Sequence, residues 1–173
     1  VTSCGTCTAT IKEIWPEMVQ GFSEEERILL NSLAERTRDI GEFLVNELGI
    51  AEQDVRGAAN VEKVTYHDPC HLKKSLGVSA EPRALISASA GYELREMTGS
   101  DVCCGMGGSF NVQYYDISKS IGSHKRKAIV DTGCDVVATG CPACMIQIGD
   151  MLSQGGDDVK VKHFIELYAK SIR

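Results

Sequence analysis

The apolar runs of this chain are only a few residues long, as in "ILL" (28–30) and "AIV" (128–130). A membrane-spanning helix needs roughly 20 such residues in succession, so direct membrane insertion is not expected. Basic character is also short: 18 Lys and Arg stand against 24 Asp and Glu, a net charge of −6. No basic run is present that could neutralise a row of phosphates, which argues against nucleic acid as a partner. The first residues lack a signal-peptide pattern, and the expectation is a cytoplasmic protein, at most peripheral to a membrane through partner subunits.

What the chain does have is cysteine, eight in 173 residues. Without an export signal, and with a length that supports a core unaided, metal or redox chemistry is a better reading than disulfide staples. The opening "VTSCGTCTATI" echoes "ATGCPACMIQI" near the other end. Aligning Cys4 with Cys141 brings Cys7 onto Cys144, Thr2 onto Thr139 and Ile11 onto Ile148. The expectation is a C-terminal fragment in which residues 1–14 are the tail of a truncated first repeat, 15–60 a helical linker, and 61–173 a complete second copy.

Ser23 and Glu26 have capping-box spacing ahead of an acidic first turn, which predicts a helix start. Leu29, Leu30, Leu33, Ile40, Phe43, Leu44 and Leu48 then recur at mostly helical spacing, predicting two structural helices packed on the domain, with Gly49 as terminator. From Val61 the pattern alternates. "VEKVTY", "YELREM", "DVVATG" and "VKVKHF" read as strands, and "EPRALISASAG", "SKSIGSHKRKAIVDTG", "PACMIQIGDMLSQGG" and "IELYAKSI" as helices. This order predicts an α/β layered, Rossmann-like fold with a mainly parallel sheet, preceded by a helical segment.

That layout gives the cysteines meaning. Cys70 follows the first strand, Cys103 and Cys104 the second, and Cys141 and Cys144 the third. Loops after parallel strands emerge along one sheet edge, where ligands sit in open α/β folds, so five thiols from three loops can converge. Cys141 and Cys144 straddle a predicted helix start, which favours the metal-binding thiolate. Gly105, Gly107 and Gly108 would let the backbone bend around a bulky group and offer it N–H donors. Adjacent Cys103 and Cys104 cannot easily close an unstrained disulfide, and suit shared metal ligation better.

Thirty-two residues separate Cys70 from Cys103 and 36 separate Cys104 from Cys141. With "YHDPCHL", "CCGMGGSFNV" and "TGCDVVATGCPACMIQI", this pattern resembles the cysteine-rich CCG domain. That domain occurs, usually duplicated, in subunits of heterodisulfide reductase and anaerobic glycerol-3-phosphate dehydrogenase, in the iron–sulfur subunit of glycolate oxidase and in lactate-utilisation iron–sulfur proteins. The resemblance covers the whole chain, and "LAERTRDIGEFLVNELGI" resembles the segment linking the two copies in the lactate-utilisation and glycolate-oxidase members.

The resemblance implies a [4Fe-4S] cluster, cubane or noncubane, with Cys70, Cys103, Cys104, Cys141 and Cys144 as ligands. A cubane needs four cysteines, which leaves the fifth as a bridging thiolate or a spare. It also implies partners: a flavoprotein dehydrogenase subunit, other iron–sulfur domains and the missing first CCG repeat. The function so implied is electron transfer in a flavin-linked oxidoreductase acting on lactate, glycolate or a similar 2-hydroxy acid. Two alternatives stay open, disulfide reduction at a heterodisulfide-reductase-type cluster and a structural zinc module.

His67 and His71 flank Cys70, close enough to hydrogen-bond cluster sulfur or guide a proton, and with Gly105 they are the candidate supporting residues. Asp68 and Pro69 between them suit a turn. Cys134, ahead of "VVA", reads as a small buried residue. Cys4 and Cys7 have no further ligands in the sequence. His124 and the "KRK" run (125–127) read as a solvated helix face, and His163 as a strand end near the site.

Overall fold

The computed structural model describes residues 1–50 and 61–172; the last ten residues of the expected linker, and Arg173, lie outside the described residues. Strands β1 (Glu62–His67), β2 (Tyr92–Leu94), β3 (Val136–Thr139) and β4 (Lys160–His163) form one sheet in the order β2-β1-β3-β4, every pair parallel. The strand order reverses between β1 and β3, and crevices open at such switch points, beyond the carboxyl ends of the strands.

Alternation along the strands divides the core. Val64 and Tyr66 of β1 and Val136 and Ala138 of β3 pack with Leu85 and Ile86 of α4 (Ala80–Ser87) and Phe164 and Leu167 of α8 (Phe164–Ser171). Val137 faces the other way, onto Ile129 of α6 (Tyr115–Val130) and Ile148 and Leu152 of α7 (Pro142–Gly155). Cys104, Cys141 and Cys144 belong to this second layer.

Gly122 interrupts an otherwise good helical sequence in α6, and the packing explains it. A Cβ there would lie 2.7 Å from Met151 Cγ and 2.9 Å from Gln147 Nε2 of α7. The two helices that support the cysteine loops therefore approach more closely than a larger residue allows.

At the N-terminal side, α1 (Gly5–Ala9) runs into a π-helical turn, Thr10–Ile14, and α2 (Glu24–Arg36) begins at Ser23 with the expected capping box. The expectation that both linker helices pack on the domain is only half met. Ile40 of α3 (Ile40–Glu42), with Leu44 and Val45 in the turn that continues it, does pack on the sheet core. Helix α2 buries only Ala34, while Leu29 is 69 % exposed and Leu33 42 %. Its Leu30 lines a shallow groove with Trp15, Met18 and Phe22 instead. An apolar stripe reveals a helix's burial face but not what covers it.

Candidate metal centre

Each cysteine loop leaves the carboxyl end of its strand. Beyond β1 the chain turns through Asp68 and Pro69 to Cys70 and the π-helical turn His71–Ser75. Beyond β2 a long loop carries Cys103 and Cys104 to the short helix α5 (Ser109–Gln113), and beyond β3 Cys141 is the N-cap residue of α7.

Asp68 is buried and accepts from both ends of the Arg83 guanidinium (2.7 and 2.8 Å), from Ser79 Oγ (2.8 Å) and from Ser100 Oγ (2.8 Å). Burial alone would raise its pKa, but these donors override it and hold the carboxyl at about 2. The Arg83 guanidinium also stacks 4.9 Å above the Tyr66 ring. Asp68 stands two residues before Cys70 and Ser100 three before Cys103, so one buried carboxylate and its Arg83 partner clamp two cysteine loops together.

The backbone oxygen of Ser100 is a second joint. It accepts from Asp68 N–H (3.0 Å), His67 Nδ1 (3.1 Å) and Lys125 Nζ (3.2 Å), and Lys125 also donates to Gly99 O at 2.7 Å. Lys125 is 2 % exposed, which corrects the reading of "KRK" as a solvated face. Its stem passes beneath the loop, and its charge meets carbonyl oxygens instead of water. Burial pulls its pKa down, while the nearby thiolate positions and Asp101 and Asp68 favour the charged form.

Gly105 holds the loop against α6. Its φ is +97°, and a Cβ would come within 2.5 Å of Ser118 O. Ser118 Oγ donates to Gly105 O (2.8 Å), and Gly105 N–H donates to Cys103 Sγ (3.3 Å). Behind it, Asn111 Nδ2 donates to Ser118 Oγ (2.9 Å) and to Oε1 of buried Gln147 (2.8 Å).

These devices bring Cys104, Cys144 and His67 together: one ring nitrogen and the two sulfurs lie within 4.8 Å of one another, all buried. Cys141 adjoins Cys144 and is also buried, Cys103 adjoins Cys104 on the exposed side, and Cys70 is half-buried at the rim. The neighbouring Cys103 and Cys144 thiols hold Cys104 far below the usual thiol range. Cys144 lowers Cys141 in the same way, to about 4, with help from the Thr6 hydroxyl 3.3 Å away. Conversely, the Cys104 and Cys141 sulfurs push Cys144 far up. The pocket thus favours anionic sulfur at Cys104 and Cys141 before any metal arrives, which is the donor form metals require. An unpartnered ring nitrogen buried beside these sulfurs adds to the fit, because an orphaned polar atom is costly unless something binds it.

His71 is not part of the inner group. Its Nδ1 lies 3.3 Å from Thr6 Oγ1 and 3.9 Å from Cys70 Sγ. His163 caps α8 and accepts from Ile165 N–H at 3.3 Å, so its proximity to the site reflects a helix start. His124 is exposed and Cys134 buried, as expected. Cys4 packs at the margin of the thiol layer and Cys7 is exposed. Arg83, Ser100, Ser118 and Gln147 were not singled out from sequence, and Lys125 was assigned to the solvated face. For His67 a signal was present: Tyr66 is a core residue, so period-2 alternation turns its neighbour to the opposite face.

Residues 64–149 match the family model described as "CCG: Cysteine-rich domain". Lactate utilization protein A 2 of Bacillus cereus (strain 03BB102) is 33 % identical over 172 residues, 99 % of this chain and 69 % of that protein. One subunit of the fumarate reductase (CoM/CoB) of Methanothermobacter marburgensis is 35 % identical over 168 residues, 96 % of this chain but 31 % of that protein.

Proposed function

The chain belongs to the CCG cysteine-rich domain family, and from that premise we propose that it is an electron-transfer domain holding an iron–sulfur cluster within a larger oxidoreductase. The proposed ligands are Cys70, Cys103, Cys104, Cys141 and Cys144. When bound, a [4Fe-4S] cluster takes up and releases single electrons. The observation that carries the reading is the buried sulfur group of Cys104, Cys141 and Cys144, assembled from two separate loops at one sheet edge, with half-buried Cys70 of a third loop at its rim, and already biased toward thiolate.

The chain's own part is to hold, shield and bias. Met97, Ile129, Val137, Ile148 and Leu152 surround the sulfurs and keep water from the inner side. The Gly105 N–H and the Lys125 ammonium supply fixed positive ends near a site that accumulates negative charge. Cys103, exposed, and Cys70, half-buried, mark the side from which electrons enter or leave. Exposed Val102, Val112 and Ile117, near that loop, give a docking flavoprotein an apolar footing. Among the described residues no helix is long and apolar enough to cross a membrane. The proposed ultimate electron source is lactate, glycolate or a similar 2-hydroxy acid oxidised by a flavoprotein, and the names of the lactate-utilization relatives favour lactate among these.

Anaerobic reconstitution with iron and sulfide, followed by metal analysis and EPR, tests the reading. The expected result is a brown protein whose iron is lost in Cys104→Ser and kept in Cys134→Ser. Two sulfurs and a ring nitrogen are also a zinc-type donor set, and a colourless zinc protein under the same treatment would favour the structural alternative.

A further inference from the structure

Five cysteines do not exhaust the donors that face the centre. His67 is the last residue of β1, 1 % exposed, and pairs in register with Thr139 of β3. Its Nδ1 lies 3.1 Å from Ser100 O. A carbonyl oxygen only accepts, so Nδ1 carries a proton and donates it. In neutral imidazole the other nitrogen then holds a lone pair and no hydrogen. That atom, Nε2, is buried and has no hydrogen-bond partner.

The tautomer is over-determined. Ser100 O is fixed independently by Asp68 N–H and Lys125 Nζ, and Asp68 is itself locked by Arg83. The ring cannot turn without breaking a joint shared by three elements. Metal-ligating histidines characteristically donate the distal N–H to a carbonyl or carboxylate, which orients the ring and strengthens its lone pair. His67 has that arrangement, with the Cys104 and Cys144 sulfurs as its neighbours.

We propose that His67 is a ligand of the centre, binding through Nε2 the same metal that Cys104 and Cys144 hold. This rests on the site being a metal centre and adds a nitrogen donor to the sulfurs. Neutral imidazole adds no negative charge where a thiolate would, so the reduction potential of the centre lies above that of an equivalent with a further thiolate at that position.

The test uses the whole chain, reconstituted with iron and sulfide and labelled with 15N-histidine. His67→Asn is the informative variant, because an Asn amide nitrogen takes the place of Nδ1 and still reaches Ser100 O, while nothing replaces Nε2. Pulsed EPR of the paramagnetic centre should show a strongly coupled histidine nitrogen in the parent protein and in His71→Asn, and none in His67→Asn. Bound iron with no strong histidine coupling in the parent overturns the proposal and leaves the iron–sulfur reading intact. Failure to bind iron counts against that reading instead, and cobalt(II) alone then decides about His67. Loss of at least tenfold in cobalt affinity in His67→Asn supports ligation, and equal affinity overturns it.

Discussion

Replacing Arg83 with Met removes the partner of a buried carboxylate while keeping most of the apolar stem over Tyr66. In the parent protein Asp68 is held at about 2 against an ordinary 3.8, which corresponds to about 2 kcal/mol of folding stability. The folded value is depressed, so this stability is present above pH 4 and lost as the pH falls toward 2. Without Arg83, a carboxylate that is 1 % exposed keeps the Ser79 and Ser100 hydroxyls and the partly exposed Lys73 ammonium 3.7 Å away, and most of what offsets its burial cost is lost. Breaking one side of such a pair costs about 3–5 kcal/mol. The Arg83–Glu96 ion pair, broken by the same substitution, is half-exposed and contributes little. In Arg83→Met the sign reverses: burial now raises Asp68 above its unfolded value, so the variant's deficit shrinks as acid protonates it. Urea unfolding followed by circular dichroism at pH 8 and pH 5 should show a deficit of about 3–5 kcal/mol at the higher pH and a smaller one at the lower. Asp68→Asn should recover part of it when combined with Arg83→Met. A deficit below about 1 kcal/mol, or one equal at both pH values, would refute the clamp.

Gly105→Ala should cost about 1–3 kcal/mol from its backbone angle alone, and more from the clash with Ser118 O, with loss of bound iron. Gly133→Ala, also at positive φ but with open space around its Cβ position, should show only the backbone cost and keep its iron, read by urea midpoints and metal analysis. Lys125→Met should lower the midpoint potential of the iron-loaded protein by an amount on the order of 1 kcal/mol per electron, because a buried positive charge near the thiolates is lost, while Lys125→Arg should retain most of it. Ser23→Ala should weaken α2 by about 1 kcal/mol. Since α2 packs on little, hydrogen exchange within it should rise while the global unfolding midpoint barely moves.

Periodicity and turn chemistry were sufficient to place the four strands, the capping box at Ser23 and the helix opened by Pro142. The convergence of the cysteine loops followed from one topological fact, that loops after parallel strands share an edge. What stayed hidden depends on pairs distant in sequence. Nothing near Asp68 in the chain points to Arg83, which is in α4, and nothing in "SHKRKA" separates inward-facing Lys125 from its exposed neighbour Lys127 except the helix's rotation on the sheet. His67 and His71 look equivalent around Cys70 until the end of β1 is fixed, after which one points into the thiol layer and the other toward Thr6.

The two CxxC turns show how little of a cysteine's chemistry resides in its motif. Cys4 (φ −142°, ψ 111°) and Cys141 (φ −143°, ψ 118°) open their helices with nearly the same backbone, as the echo between their sequences predicts. Their thiols are nonetheless driven apart, Cys4 up to about 11 and Cys141 down to about 4. For Cys4 burial dominates, and the Cys7 N–H at 3.5 Å is too weak a donor to offset it. Cys141 is buried more deeply, yet it is surrounded by the Cys144 thiol, the Thr6 hydroxyl and the N–H groups of Ala143 and Cys144. The Thr6 contribution comes from the first turn itself: Gly5 N–H donates to Gly140 O, Gly5 packs on Leu72, and the Thr6 hydroxyl thereby reaches Cys141. The N-terminal turn therefore lends the Cys141 thiol a donor, while burial favours the protonated form of its own Cys4. Neighbours, not spacing, make one pair ready for a metal.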